Sequence, residues 1–121
     1  MRKLKSSVSI KNNYEFRRLY SKGKSAATPY LVVYCRRTGR GYDRLGITVT
    51  AKLGTAVHRN RVRRRLREIY RLNLPRLKKG FDIVIVARVR SRRAEYRQLA
   101  SAYLSACAKL GLLAEERGGG R

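Results

Sequence analysis

Apolar positions along the chain recur with three spacings, and each predicts its own kind of element. Phe16, Leu19 and Tyr20 stand at i, i+3 and i+4, the stripe of a short amphipathic helix; Asn12 or Asn13 can cap it and Gly23 stops it. Tyr30 to Cys35 (YLVVYC) reads as a strand, with Tyr30, Val32 and Tyr34 on one face and Leu31, Val33 and Cys35 on the other. Gly39 and Gly41 mark Arg36 to Asp43 as a loop or hairpin turn. Alternation resumes from Arg44 to Thr50, where Leu45, Ile47 and Val49 share a face. Gly54 breaks that pattern, Thr55 is an N-cap, and a second helix runs to about Leu72 with Val62, Leu66 and Ile69 as its anchoring stripe. Pro75 and Gly80 bracket the next loop. Phe81 to Arg88 (FDIVIVAR) holds an unbroken aliphatic run, as a central strand buried on both faces requires. Tyr96, Leu99, Tyr103 and Leu110 predict a last helix from about Arg93 to Leu113. Lys24 to Thr28 is too bland in composition to assign.

The order is therefore α, β, β, α, β, α, with a strand–helix–strand unit inside a small sheet. That pattern predicts an α+β two-layer sandwich. The 121 residues suffice for one core and not two, and no repeat is visible. The expected division is a flexible basic arm over 1–11, one α/β domain over 12–114 and a flexible tail over 115–121.

Charge changes the picture from a fold to a class of partner. Lys and Arg number 31 against 7 Asp and Glu, a net charge of +24 and a pI of about 11.4. Such a surface repels itself and suits a polyanion. The hydrophobic fraction of 43% argues against a disordered basic tail. Cys35 and Cys107 each sit in an apolar run and read as reduced core thiols, which points to the cytoplasm. With His58 they cannot supply the clustered ligands of a zinc site. No apolar run is long enough to span a membrane. The opening MRKLKSSVSIK lacks the apolar centre of a secretory signal; a transit peptide is the alternative to a disordered arm.

Residues 59–71 read RNRVRRRLREIYR, in which seven of thirteen are Arg and Glu68 is the only acid. Arg61, Arg64 and Arg71 point away from the apolar stripe, and Arg59, Arg63 and Arg65 flank it. A solvated face would mix both signs; here Glu68 reaches only Arg64 and Arg71 by helical spacing. The remaining cations repel one another, the footprint of a phosphate binder, and the planar guanidinium grips phosphate with two hydrogen bonds. Tyr14, Phe16, Tyr20, Tyr30 and Tyr34 are five of the ten aromatics, and rings beside a basic helix favour single-stranded RNA. Core packing competes as an explanation for Phe16 and Leu19; Tyr20 and Tyr34, with polar tips, are better platforms. No catalytic residues are expected: the acids are scattered, Asp82 at a strand start reads as structural, and His58 has no acid–base partner at a recognisable spacing.

The stretch Lys52-Leu-Gly-Thr-Ala-Val-His-Arg-Asn-Arg-Val-Arg-Arg-Arg-Leu-Arg-Glu68 closely resembles the signature of the bacterial ribonuclease P protein subunit. Phe16 and Tyr20, Leu45-Gly46-Ile47 and Phe81-Asp-Ile-Val-Ile-Val-Ala-Arg88 resemble its flanking elements, so the likeness covers roughly residues 10–110. The resemblance implies a four-stranded mixed sheet with three helices, in which Lys24–Thr28 is a strand and the strand–helix–strand crossover is left-handed, against the usual rule. It implies that Arg59, Asn60, Arg61, Arg63, Arg64 and Arg67 contact the RNA subunit. Phe16, Tyr20 and Tyr34 would form the cleft for the 5′ leader of precursor tRNA. The implied reaction is hydrolysis of one phosphodiester to leave the mature 5′ end, catalysed by the RNA subunit with bound Mg²⁺ and assisted by the protein. The partners are then the RNA subunit and precursor tRNA, with no membrane and no obligatory protein partner. Arg63 stands where Lys is also common, and Tyr20 where Phe is frequent; charge and stacking face are both kept. A structural RNA-binding protein, such as a ribosomal component, is the alternative from another class. A basic amphipathic protein of membrane surfaces is a third, opposed by a basic helix whose apolar stripe is a core anchor.

Overall fold

The computed structural model describes residues 7–10, 13–39 and 41–114. In chain order the elements are β1 (Ser7–Ser9), α1 (Asn13–Lys22), β2 (Lys24–Ala27), β3 (Leu31–Arg37), β4 (Asp43–Val49), α2 (Ala56–Asn73), β5 (Phe81–Ala87) and α3 (Tyr96–Lys109). They build one mixed sheet in the order β1-β4-β5-β3-β2. β1 and β5 run parallel to β4; β3 runs antiparallel to both β5 and β2. The unbroken run Ile83–Val86 suits its central place, because Ile83 and Ile85 enter the main core while Val84 is buried on the opposite face.

The main core lies between the sheet and α2 with α3. Leu31, Val33 and Cys35 of β3 and Leu45 and Val49 of β4 meet Val62, Leu66, Ile69 and Tyr70 of α2 and Leu99, Tyr103 and Cys107 of α3. That is the expected sandwich. α1 packs on the other face, where Leu19, Ile10 and Val84 form a smaller cluster flanked by Phe16, Tyr34 and Val86. Over the middle strands the molecule is thus helix, sheet, helix. α2 is the crossover between the neighbouring parallel strands β4 and β5.

Lys24–Ala27 is indeed a strand, paired with β3. The sheet has a fifth member beyond the expected four: Ser7–Ser9 pairs with Asp43–Leu45, and Ile10 is buried with its N–H bonded to the Leu45 carbonyl at 2.9 Å. Residues 7–10 therefore belong to the domain and not to a flexible arm. The rest of that expected arm, apart from these four residues, and the 115–121 tail lie outside the described residues.

α3 begins three residues later than its periodicity suggests. Val89–Arg93 winds as a 3₁₀ turn, and Gln98 Oε1 accepts from the Glu95 N–H at 2.8 Å to fix the start at Tyr96. The helix ends at Leu110 and Gly111, whose φ of +72° suits glycine. Both cysteines are free and buried, and burial pushes the Cys107 thiol up to about 11. Among the described residues no helix is long and apolar enough to cross a membrane.

Candidate nucleic-acid interface

α2 buries Val62, Leu66, Ile69 and Tyr70, which fixes the azimuth of every arginine around it. Thr55 caps it: its hydroxyl oxygen accepts weakly from the His58 N–H at 3.5 Å and sits 3.0 Å from His58 Nδ1. Asn60, Arg61, Arg64 and Arg67 are exposed, while Arg59 and Arg63 are half-buried at the margins of the stripe. Arg63 Nη1 donates to Asn60 Oδ1 at 3.1 Å, which holds that pair together one turn apart. The Nε of Arg59 is buried without a hydrogen-bond partner among the described residues. Glu68 lies 3.9 Å from Arg71, both half-exposed, so this contact is worth little. Among the described residues, no carboxylate lies within salt-bridge distance of Arg59, Arg61, Arg63, Arg64 or Arg67. The six signature residues thus share one helix, and the five arginines among them have no carboxylate partner among the described residues. Arg65 acts within the fold instead. It donates to the Ala94 carbonyl at 3.2 Å and ties α2 to the approach to α3.

The rings come together on the opposite face of the sheet. Tyr34 in β3 packs edge-on to Tyr20 of α1, with ring centroids 4.8 Å apart, and Phe16 follows at 6.4 Å from Tyr20. Phe16 is seated on Gly46: a β-carbon at that glycine would lie 2.7 Å from the ring. Phe16 therefore helps to set α1 on the sheet, Leu19 is core, Phe16 and Tyr34 are both half-buried against that cluster, and Tyr20 is the exposed ring of the three. Beside them, β-pairing lines up Val32, Val86 and Thr48 in one row, all half-buried. The Tyr20 hydroxyl lies 3.4 Å from the Thr48 hydroxyl. Thr48 was not singled out from sequence, although it faces away from Leu45, Ile47 and Val49 by simple alternation. The face is thus a shallow apolar strip edged by hydroxyls, suited to stacking unpaired bases.

Sequence order suggested rings beside the basic helix; the sheet separates them instead. α2 packs on the face of Leu45 and Val49, and the rings occupy the face of Gly46 and Val84. Two separate surfaces result, on opposite faces of one sheet.

Three of the acids, Glu15, Asp43 and Asp82, serve architecture. Arg44 takes Asp82 through two hydrogen bonds, at 2.9 and 2.7 Å, and Glu15 of α1 at 2.9 Å. The Asp82 bonds above all hold its guanidinium charge, raising its pKa against the opposing effect of burial. This triad clamps α1 to β4 and β5, and it bears out a structural role for Asp82. Asp43 is buried and its Oδ1 accepts from the N–H groups of Gly80 and Phe81 at 2.8 and 3.0 Å. Burial pushes its carboxyl above the ordinary carboxylate value, against the lowering effect of those two donors. Among the described residues no three His, Cys, Asp or Glu side chains converge to hold a metal ion.

Comparison with known proteins agrees with the residue-level reading. The family described as Ribonuclease P matches residues 4–111. The ribonuclease P protein component of Natranaerobius thermophilus is 39% identical over 106 residues, which span 88% of this chain and 92% of that protein. The solved RNase P protein of Staphylococcus aureus has a TM-score of 0.78 at 30% identity, covering 88% of this chain and 97% of that one. The RNase P protein from Thermotoga maritima has a TM-score of 0.74 at 35% identity, covering 80% and 92%. With the arginine helix, the flanking strands and nearly the whole length matched, this chain belongs to the ribonuclease P protein family.

Proposed function

We propose that the chain is the protein subunit of ribonuclease P in the cytoplasm, binding the RNA subunit through α2 and the 5′ leader of precursor tRNA through the ring face. Arg59, Asn60, Arg61, Arg63, Arg64 and Arg67 grip phosphates of the RNA subunit. Tyr20 and Tyr34 stack leader bases, with Phe16 holding α1 in place beneath them. The observation that carries this reading is the pair of opposed surfaces separated by a single sheet, one ringed and one cationic, whose signature arginines have no carboxylate within salt-bridge distance among the described residues.

In this reading the RNA subunit, with Mg²⁺ bound to it, supplies the chemistry that cleaves the phosphodiester. The described residues of this chain do not fit a Mg²⁺ site, since Asp82 and Glu15 are engaged by Arg44, and Asp43 is buried beneath the Gly80 and Phe81 amides. What the chain contributes is position and charge. Its guanidinium groups offset phosphate repulsion as two large RNAs approach, which lowers the bulk cation concentration that assembly needs. The leader, once stacked, lengthens the grip on precursor relative to mature tRNA, so substrate is favoured over product.

The test is cleavage of precursor tRNA by the RNA subunit at low Mg²⁺, with and without the chain. Stimulation is expected, together with no cleavage by the chain alone. Absence of stimulation would favour a structural RNA-binding role such as that of a ribosomal component, and efficient trimming by the chain alone would remove the division of labour.

A further inference from the structure

α2 and the ring face leave a third concentration of charge unused. The 3₁₀ turn Val89–Arg93 carries Arg90, Arg92 and Arg93, with Arg88 just before it, and all four are exposed. Two of them are anchored by the fold. Arg88 donates to the Thr28 carbonyl at 3.0 Å, and Arg92 donates to the Leu53 carbonyl at 3.5 Å while lying 3.4 Å from His58 Nε2. Arg90 and Arg93 have neither a hydrogen bond nor a carboxylate partner among the described residues. Glu95, the nearest acid in sequence, is engaged by Arg97 at 3.1 Å. Like charges this crowded oppose folding unless an external anion offsets them.

The turn also edges a groove. A hollow of about 590 Å³ is lined by Tyr30, Val89, Arg90, Arg92, Arg93 and Gln98. A second, of about 690 Å³, shares Tyr30 and Gln98 and continues past Pro29, Arg97, Ser101 and Lys109 along α3. Cations therefore stand at both ends, and a half-buried tyrosine ring lies where the two hollows meet. A cationic track with a ring in its floor is the form that suits an unpaired nucleic-acid strand, whose backbone follows the charge and whose bases stack. A duplex, with its bases stacked inward, would leave the ring unused.

We propose that the Val89–Arg93 turn and the groove past Tyr30 form a further RNA-binding surface, taking a single-stranded segment of the RNA subunit. The RNA subunit is the partner because Arg92 clamps this turn against His58 and Leu53, at the start of α2, so the groove continues the arginine surface and not the ring face. The inference rests on the reading of α2 as the surface for that RNA.

The test is equilibrium binding of the full chain to the RNA subunit across a salt series, for the wild type, R90A/R93A, R90K/R93K and R61A. Each variant's thermal melt checks that it folds. R90A/R93A is expected to weaken binding by about tenfold and to flatten the log–log salt slope by about 1.4 units, two single-strand phosphate contacts' worth. R90K/R93K is expected to keep the wild-type slope. If R90A/R93A binds as the wild type while R61A binds more weakly, the groove is overturned and the reading of α2 stands. If neither variant weakens binding, both fall. If R90A/R93A instead weakens binding of leader-bearing precursor tRNA and spares the RNA subunit, the assigned partner is overturned.

Discussion

Arg61 is exposed on α2, and among the described residues no acid lies within salt-bridge distance of it. Removing it should therefore cost binding and not folding. Arg61→Ala is expected to weaken affinity for the RNA subunit and to reduce the magnitude of the log–log salt slope by roughly 0.7–0.9 units, with a thermal melt close to that of the wild type. An unchanged slope would mean that Arg61 touches no phosphate. Asp43 presents the opposite case, a buried acid with an architectural role. Its carboxyl titrates above the ordinary value because burial disfavours the charge. Over that window the folded chain holds a proton that the unfolded chain has released. The stability it contributes is therefore present below about pH 4 and lost as pH rises through the folded value. Denaturant unfolding of wild type and Asp43→Asn across this range should show the wild type losing ground to the variant as pH rises. A pH-independent difference would contradict the assignment.

At the scale of elements, the long strands and helices were legible because their faces are cleanly divided. The alternation in Tyr30–Cys35 and the stripe of α2 each named the right buried residues. β2 was not legible: Lys24–Ala27 is an edge strand that buries only Ala26, so pairing with β3 and not side-chain burial makes it a strand. β1 was hidden for the same reason, being three residues long and held by main-chain pairing to β4. The separation of arginines and rings also lay beyond reach. Periodicity assigns a residue to a face of its own element, but only the order of strands says which face each helix covers. Gly46 shows what that order controls. Gly46→Ala would place a β-carbon 2.7 Å from the Phe16 ring, forcing the ring and α1 off β4. The expected outcome is a loss of about 1–3 kcal/mol in stability together with weaker leader binding. Adding Phe16→Ala should remove the overlap, so a double variant no less strained than Gly46→Ala alone would contradict the seating of Phe16 on this glycine.

For the whole molecule, the net charge of +24 sets the frame within which each contact acts. Arg44 uses Glu15 and Asp82 to clamp α1 onto the sheet, and Asp43 is buried, so three of the seven acids are withdrawn from the surface. The central claim is that one face holds the RNA subunit while the other discriminates by leader. It is tested most directly by one ratio, the affinity of the assembled holoenzyme for precursor tRNA over that for mature tRNA, measured with wild type and with Tyr34→Ala. Stacking on a ring is worth about 1–3 kcal/mol per base, so the ratio should fall by roughly fivefold or more in the variant while affinity for mature tRNA and for the RNA subunit stays near the wild-type value. Equal losses for precursor and mature tRNA, or a ratio that does not move, would contradict it.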